Sequence, residues 1–296
     1  MVNSKKIKLT IIGSSGFLGS NFIDILDKKK FDVTAYDLIK ANSPEQKKCK
    51  FIKGDILDYD TLSRSIEGAD YVFNFAGEAD ITENIKKVEN TFKSNLIGNI
   101  NILTLCNKYK IKKYIYASSM YVFGKYGSFY KISKIASEEL IREFNNLYGL
   151  KYNILRFGSL FGSAYDKKSA ILNMINEAIK KKEITYNGQE DSLRQYIHIK
   201  DACKATLKSI NKKYDNQLIS IIGRESYRVK DVMILISEML NKKVKFNFKN
   251  KKNQGHYRIT PFSFEPKIGV TINLDDYIDI QQALYEEIKR ISNQKN

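Results

Sequence analysis

Leu9-Thr-Ile-Ile-Gly13-Ser-Ser-Gly16-Phe-Leu-Gly19 is the stretch whose reading decides the fold of this chain. An apolar, β-branched run from Ile7 to Ile12 leads into it, and a helical pattern from Phe17 to Leu26 leads out. A strand, a glycine turn and a helix in that order form a cradle for a dinucleotide pyrophosphate. Gly13 permits the tight turn, Gly16 lets backbone approach phosphate, and Gly19 lets the helix pack on the strand. The helix N-terminus adds N–H groups and a partial positive charge. Ser15, Phe17 and Leu18 share the turn and are expected beside the same ligand.

The acid that completes this signature is Asp37, which ends a second apolar run, Phe31-Asp-Val-Thr-Ala-Tyr-Asp37, 18 residues beyond Gly19. A carboxylate there accepts hydrogen bonds from ribose hydroxyls and repels a 2′-phosphate. The following Leu38-Ile-Lys-Ala-Asn-Ser43 holds no arginine for such a phosphate, though it does hold Lys40. The cofactor is therefore read as NAD rather than NADP. Asp55 and Ile56 follow a third short strand, where an aspartate can meet the adenine amino group while Ile56 packs on the ring.

The same alternation continues outward. Apolar runs at 7–12, 31–36, 50–53, 70–76, 112–118 and 151–157 read as strands, and amphipathic patterns at 17–28, 59–66, 88–108 and 130–148 read as helices. This predicts an α/β fold, a doubly wound parallel sheet covered on both faces. Beyond it the pattern is less regular, with helices expected at 169–182, 200–211, 229–240 and 274–291. The expected division is a dinucleotide-binding domain over 1–158 with a return segment near 195–212. A smaller α/β substrate domain takes 159–194 and 213–296.

Composition narrows the function class. The 43% hydrophobic content is ordinary for a globular protein. No apolar run is long enough for a membrane span, and the N-terminus lacks the apolar core of a signal peptide, so a reducing cytoplasm is expected and no membrane partner. Three scattered cysteines and two distant histidines offer neither a disulfide framework nor zinc spacing, so no metal is expected. The formal charge of +17 is mostly lysine in short dispersed runs such as Lys28-Lys29-Lys30, with only eight arginines. Scattered lysine reads as solvated surface, and no nucleic-acid partner is expected.

Chemistry is expected from Tyr130-Lys-Ile-Ser-Lys134. Positions i and i+4 share a helix face. An ammonium near a phenol favours the phenolate, which provides a proton acceptor for a hydroxyl near neutral pH. The same spacing recurs at Tyr36/Lys40, Tyr109/Lys113, Tyr121/Lys125, Tyr196/Lys200 and Tyr285/Lys289, so spacing alone selects nothing. Context selects Tyr130. It opens a long helix just after Ile115-Tyr-Ala-Ser118-Ser119, a strand ending in two hydroxyls at the carboxyl edge of the sheet.

With the glycine triplet, Asp37, Asp55-Ile56, Phe75-Ala76-Gly77, Asn95, Ser118-Ser119, Tyr130, Lys134, Arg156 and Arg194-Gln-Tyr-Ile-His-Ile-Lys-Asp201 in this order, the chain resembles the extended short-chain dehydrogenase/reductase family, the NAD-dependent nucleotide-sugar epimerases and dehydratases. The resemblance runs from about residue 7 to 205 and implies a Rossmann-type fold. It implies Ser119 as the hydroxyl that bonds the reacting sugar oxygen, Tyr130 as acid/base, and Lys134 as the group that tunes it and holds the nicotinamide ribose. Phe75, Ala76, Gly77, Asn95, Ser118 and Phe157 would wall the cofactor. Met120, Ser159, Arg194 and Arg258 would meet a nucleotide-diphosphate sugar, most closely a UDP-sugar; for Arg258 a structural salt bridge stays equally open. The family also implies a homodimer through the helices at 88–108 and 130–148, which carry Leu96, Ile100, Leu103, Ile135, Leu140 and Ile141.

Met120 and Tyr121 stand where the dehydratases of this family carry Asp-Glu, so water elimination is not expected. The reading is an epimerase that forms a 4-keto sugar transiently and re-reduces it on the opposite face. The alternatives are a keto-sugar reductase using NAD(P)H and a non-catalytic RNA-binding relative. Two departures from the UDP-galactose 4-epimerase pattern are Ser159 in place of an asparagine and only ten residues between Ser119 and Tyr130.

Overall fold

The computed structural model describes residues 6–41, 43–79, 81, 87–124, 126–163, 165–249, 270–272, 274 and 276–293. Its centre is an eight-stranded, wholly parallel sheet. β1 (Ile7–Ile12) is flanked on one side by β2 (Phe31–Asp37) and β3 (Lys50–Lys53). On the other side follow β4 (Tyr71–Asn74), β5 (Lys113–Ser119), β6 (Tyr152–Phe157), β11 (Gln217–Ile221) and the two-residue edge strand β14 (Val270–Thr271). The order reverses between β1 and β4, which opens a crevice at their carboxyl ends.

Strands buried on both faces read as continuous apolar runs, and alternate residues feed two cores. Ile11, Val33, Phe73, Ile115 and Leu155 pack under α1 (Phe17–Asp24) and α8 (Ile199–Lys208). Ile12, Val72, Tyr114, Tyr116 and Ile154 pack under α3 (Tyr59–Ile66), α5 (Gly98–Lys108) and α6 (Ser128–Tyr148). A separate third core joins Ile171, Met174 and Ile175 of α7 (Ala170–Lys181) to Val232, Met233 and Ile236 of α9 (Val229–Met239). Leu284 and Ile288 of α10 (Ile280–Asn293) complete it.

That smaller lobe holds three two-stranded sheets. β7 (Ser159–Phe161) pairs with β10 (Tyr196–His198), and β8 (Glu183–Tyr186) with β13 (Lys245–Phe248), both in parallel. β9 (Leu193–Arg194) and β12 (Tyr227–Arg228) run antiparallel.

The structure adjusts several expected boundaries. α1 stops at Asp24 rather than residue 28. Pro44 opens a short helix, α2 (Pro44–Lys47), because Ser43 Oγ accepts from Gln46 N and proline fits the first turn. The helix expected over 88–108 is α4 (Val88–Phe92), a π-helical turn Lys93–Ile97, and α5. The last helix begins at Ile280, not 274, where Asp279 Oδ1 accepts from Gln281 N and Gln282 N. The chain also re-enters the main sheet twice beyond 195–212, as β11 and β14.

Lys113 anchors one of these crossings. It is 2% exposed, donates to the carbonyls of Ser209, Ile210 and Asn211 after α8, and pairs with Asp215 at 2.6 Å. A cation at a helix C-terminus satisfies carbonyls that the helix itself leaves open.

Candidate active site

The crevice between β1 and β4 opens into a cavity of about 300 Å³ lined by Gly13, Ser15, Gly16, Asp37, Asp55, Ile56, Phe75, Ala76 and Gly77. Gly13 has φ +78°, and a Cβ there would lie 2.5 Å from Ala76 N. A Cβ on Gly19 would strike the Gly13 carbonyl and Ser14 Cα, so helix and turn touch backbone to backbone. Gly16 differs. It has an extended backbone (φ −71°, ψ 174°) at the N-cap of α1, and a Cβ there would meet only Gly13 O at 3.4 Å. That open space before the helix end is the cradle a diphosphate needs.

Asp37 is held in place by two backbone donors. Its Oδ2 accepts from Ser15 N at 2.9 Å and its Oδ1 from Ile39 N at 3.3 Å. Lys40, the one cation expected near a 2′-phosphate, lies over the Phe51 ring at 5.6 Å. Asp55 Oδ1 accepts from Leu57 N, and Ile56 packs so closely on α5 that a Cβ on Gly98 would meet its Cγ1 at 2.7 Å. Phe75 stands edge-on to Phe22 of α1. These residues fit a dinucleotide: Gly16 leaves space before the helix end, and the fixed carboxylate of Asp37 lines the same cavity.

Asn95 acts as a tie rather than as an open wall. It is 2% exposed; its Oδ1 accepts from Glu78 N (2.8 Å), and its Nδ2 donates to Glu78 O and Ser133 Oγ (both 3.0 Å). Ser137 Oγ donates to the Asn95 carbonyl. The π-helical turn thereby fastens the loop after β4 to α6, the helix of Tyr130 and Lys134. Gly77 is squeezed into the same joint: φ is +143°, and a Cβ would lie 2.5 Å from Asn95 Oδ1 and 3.9 Å from Lys134 Nζ.

Tyr130 and Lys134 sit in the first turns of α6, both largely buried. Lys134 Nζ donates to Ala117 O at 2.8 Å and lies 5.7 Å from the Tyr130 ring centre and 4.6 Å from that of Tyr116. Burial pushes the Lys134 pKa down to about 8, against the opposing pull of the Glu138 carboxylate. Ser119 ends β5 and caps a 3₁₀ turn, Met120–Phe123, accepting from Tyr121 N. Gly127, at φ +115°, turns the chain straight back into α6. Ten residues therefore suffice between the hydroxyl and the phenol.

A second cavity, about 550 Å³, lies on the small-lobe side and is lined by Tyr121, Ser159, Lys168, Asn173, Met174, Tyr186, Arg194 and Tyr196 among others. Arg194 is buried, donating to Leu193 O (2.8 Å) and Tyr186 Oη (2.7 Å). Tyr121 stands edge-on to Tyr130 with ring centres 6.3 Å apart. Met120, expected to meet substrate, is 1% exposed and turned into the interior, and Tyr121 takes the cavity face instead. Successive residues of a tight turn point in different directions, and sequence order does not say which faces the cavity. Ser118, expected beside the cofactor, donates its hydroxyl to Glu138 Oε1 at 2.6 Å. Phe157 is 6% exposed, paired in register with Ser119. Arg258 lies outside the described residues. The sequence reading did not single out Lys168, Asn173 or Tyr186, which reach the cavity only through the small lobe's packing.

Residues 9–221 match the NAD dependent epimerase/dehydratase family. The chain belongs to that family. A Methanocaldococcus jannaschii protein that carries a provisional UDP-glucose 4-epimerase name is 28% identical over 239 residues, 74% of this chain and 78% of that one. The fold is shared with a Thermotoga maritima UDP-glucose 4-epimerase solved with UDP-glucose (TM-score 0.84, 20% identity, 98% of this chain and 100% of that one). It is shared equally with a Methanobrevibacter ruminantium UDP-N-acetylglucosamine 4-epimerase in complex with UDP-N-acetylmuramic acid (TM-score 0.84, 23% identity, 98% and 99%).

Proposed function

We propose that this family member is an NAD-dependent UDP-sugar 4-epimerase, with Tyr130 as acid/base, Ser119 as hydrogen-bond donor to the sugar oxygen and Lys134 as the charge that tunes the phenol. The observation that carries the reading is Lys134 buried 5.7 Å from the Tyr130 ring centre, with Gly77 of the first cavity beside Lys134 and Tyr121 of the second against Tyr130, next to a turn whose residues, Met120 and Tyr121, offer no carboxyl group for expelling water. When bound, NAD supplies a hydride acceptor that later returns the hydride. The Gly13–Gly16 turn and the α1 N-terminus would hold its diphosphate, Asp37 one ribose, Asp55 and Ile56 the adenine, and Lys134 the other ribose.

The Tyr130 phenolate takes the proton of the C4 hydroxyl as the C–H bond opposite opens, leaving a 4-keto sugar. Ser119 donates to that oxygen throughout. Tyr130 returns its proton when the other face of the carbonyl is reduced. Arg194, held by Tyr186 and Leu193, supplies a fork suited to diphosphate oxygens. The second cavity, at about 550 Å³, gives the sugar room to turn between its two faces.

The proposal extends to a homodimer. On its helices, Ile97 and Ile132 are 46% and 50% exposed, whereas Leu103 and Ile141 already belong to the core. It also extends to a cytoplasmic place among the enzymes that prepare sugars for polysaccharides, supported by three free, dispersed cysteines and by the absence, among the described residues, of a helix long and apolar enough to cross a membrane.

The test is to denature the purified protein, identify the nucleotide it releases, and assay interconversion of UDP-glucose with UDP-galactose and of their N-acetylated counterparts. Near-stoichiometric NAD with turnover of one pair is the expected result. An empty site that fills only with added NAD(P)H, with net consumption of it, would replace the epimerase by a reductase.

A further inference from the structure

Glu138 is buried one helical turn beyond Lys134 and bonds to two strands at once. Its Oε1 accepts from Ser118 Oγ (2.6 Å) and Arg156 Nε (3.0 Å). Its Oε2 accepts from Arg156 Nη2 (2.5 Å) and, at 3.4 Å, from Arg142 Nη2. The Glu138 and Arg156 side chains are 3% and 8% exposed. The Arg156 guanidinium stacks 4.3 Å over Phe123, at the end of the turn that Ser119 caps. Ser118 and Arg156 are register partners across β5 and β6. One carboxylate therefore links α6, the ends of two strands and, through Arg156, the turn beyond Ser119.

A buried ion pair adds little net stability over an apolar pair of the same shape, because desolvation offsets the Coulomb gain. Its consequence is to be sought in what it orients and in the charge it presents. We infer that Glu138, clamped by Arg156 and Ser118, is a positioning residue for the proposed reaction: it sets a fixed carboxylate one helical turn behind Lys134 and holds the strand end that carries Ser119. The inference rests on the acid/base reading of Tyr130.

The surroundings of Lys134 support this. Its Nζ donates to the Ala117 carbonyl, and around it lie the Tyr116 ring from β5, the Tyr130 ring and Glu138 from α6, and Gly77 from the loop after β4. Arg142 and Arg156 reach it only through Glu138, and the Glu78 side chain next to Gly77 is exposed. Glu138 is the carboxylate that opposes the effect of burial on this ammonium.

The test is Glu138→Gln, which keeps an acceptor for Ser118 and Arg156 but removes the charge. Tyr130 ionisation is read from the ultraviolet phenolate spectrum of the purified protein, each form being compared with the same form carrying Tyr130→Phe. The double variant Glu138→Gln/Arg156→Met removes the guanidinium that the single change strands, and supplies the measurement should the single variant not fold. In both, Tyr130 should ionise about one pH unit higher, about a tenfold smaller phenolate fraction. The kcat should fall about as much while KM stays within about twofold, since the group acts on the reacting step.

A Tyr130 titration unchanged by Glu138→Gln, or wild-type titration and kcat restored in the double variant, would overturn the inference and leave a structural pair. A wild-type protein whose Tyr130 ionises no earlier than its other tyrosines would overturn the acid/base reading, and this inference with it.

Discussion

Gly13 and Gly16 stand three residues apart in one turn, yet alanine should affect them in opposite ways. At Gly13 the backbone is left-handed, which costs an L-residue about 1–2 kcal/mol. The new Cβ would also lie 2.5, 2.6 and 2.8 Å from Ala76 N, Phe75 C and Ala76 Cα, all backbone atoms that cannot rotate away. Relief requires the end of β1 to shift from β4, where Phe75 N donates to Ile12 O, and disturbs with it the bond that Gly13 N makes to Tyr36 O of β2 on the other side. Each loosened bond is worth about 1 kcal/mol. Gly13→Ala should therefore destabilise the cofactor-free protein by about 3–4 kcal/mol.

At Gly16 the backbone is ordinary and the nearest atom lies 3.4 Å away. Gly16→Ala should leave cofactor-free stability within about 1 kcal/mol, the scale of a changed helix cap. Its methyl group would nonetheless occupy the diphosphate's approach, so NAD content should collapse. Urea unfolding of the stripped proteins, together with the nucleotide released from the unstripped ones, separates the two effects. Equal stability of Gly13→Ala and the parent, or full NAD content in Gly16→Ala, would refute the reasoning.

Tyr130→Phe should lower kcat by about 10²–10⁴-fold, the span for loss of a positioned acid/base, with NAD content unchanged. The alkaline limb of kcat should fall with a midpoint near the Lys134 pKa of about 8, because the depressed value means that the ammonium is present below that pH and lost above it; a profile flat through this range would count against the role. Lys113→Met should lower stability by about 1–3 kcal/mol in thermal or urea unfolding, since three carbonyls lose their donor while Asp215 keeps Lys151 at 2.9 Å. Ile132→Asp should shift a dimer to monomer in sedimentation without lowering monomer stability, because half of that side chain is exposed; an unchanged sedimentation coefficient would remove the proposed interface.

How far the chain could be read in advance depended on how local each signal was. The strands β1, β2 and β4 to β6 were legible because strands covered on both faces are mostly apolar along their length, and the half-exposed edge strand β3 through its Phe51–Ile52 pair. The glycine turn was legible because its constraint is steric and acts over a few residues. β11 and the paired strands of the small lobe were not, because two- to five-residue strands of mixed composition form only when a distant partner satisfies their backbone. Met120 was the expected substrate contact and Tyr121 was not, and only the direction of the 3₁₀ turn shows which of them faces the cavity. The Glu138–Arg156 pair, 18 residues apart, was invisible because any of several acids on α6 matches β6 equally well until helix and strand are docked.

By itself, then, the sequence determined the parallel α/β sheet and the glycine turn with its acid at Asp37, which follow from local periodicity and short spacing, while Ser119, Tyr130 and Lys134 were read from their context and from a family resemblance. The tertiary structure alone decided which side chains share a cavity, that Asn95 ties the loop after β4 to the helix of Tyr130 and Lys134, and that burial and Glu138 act in opposition on Lys134. Those depend on distances between elements far apart in the chain, and on how completely water is excluded when they pack.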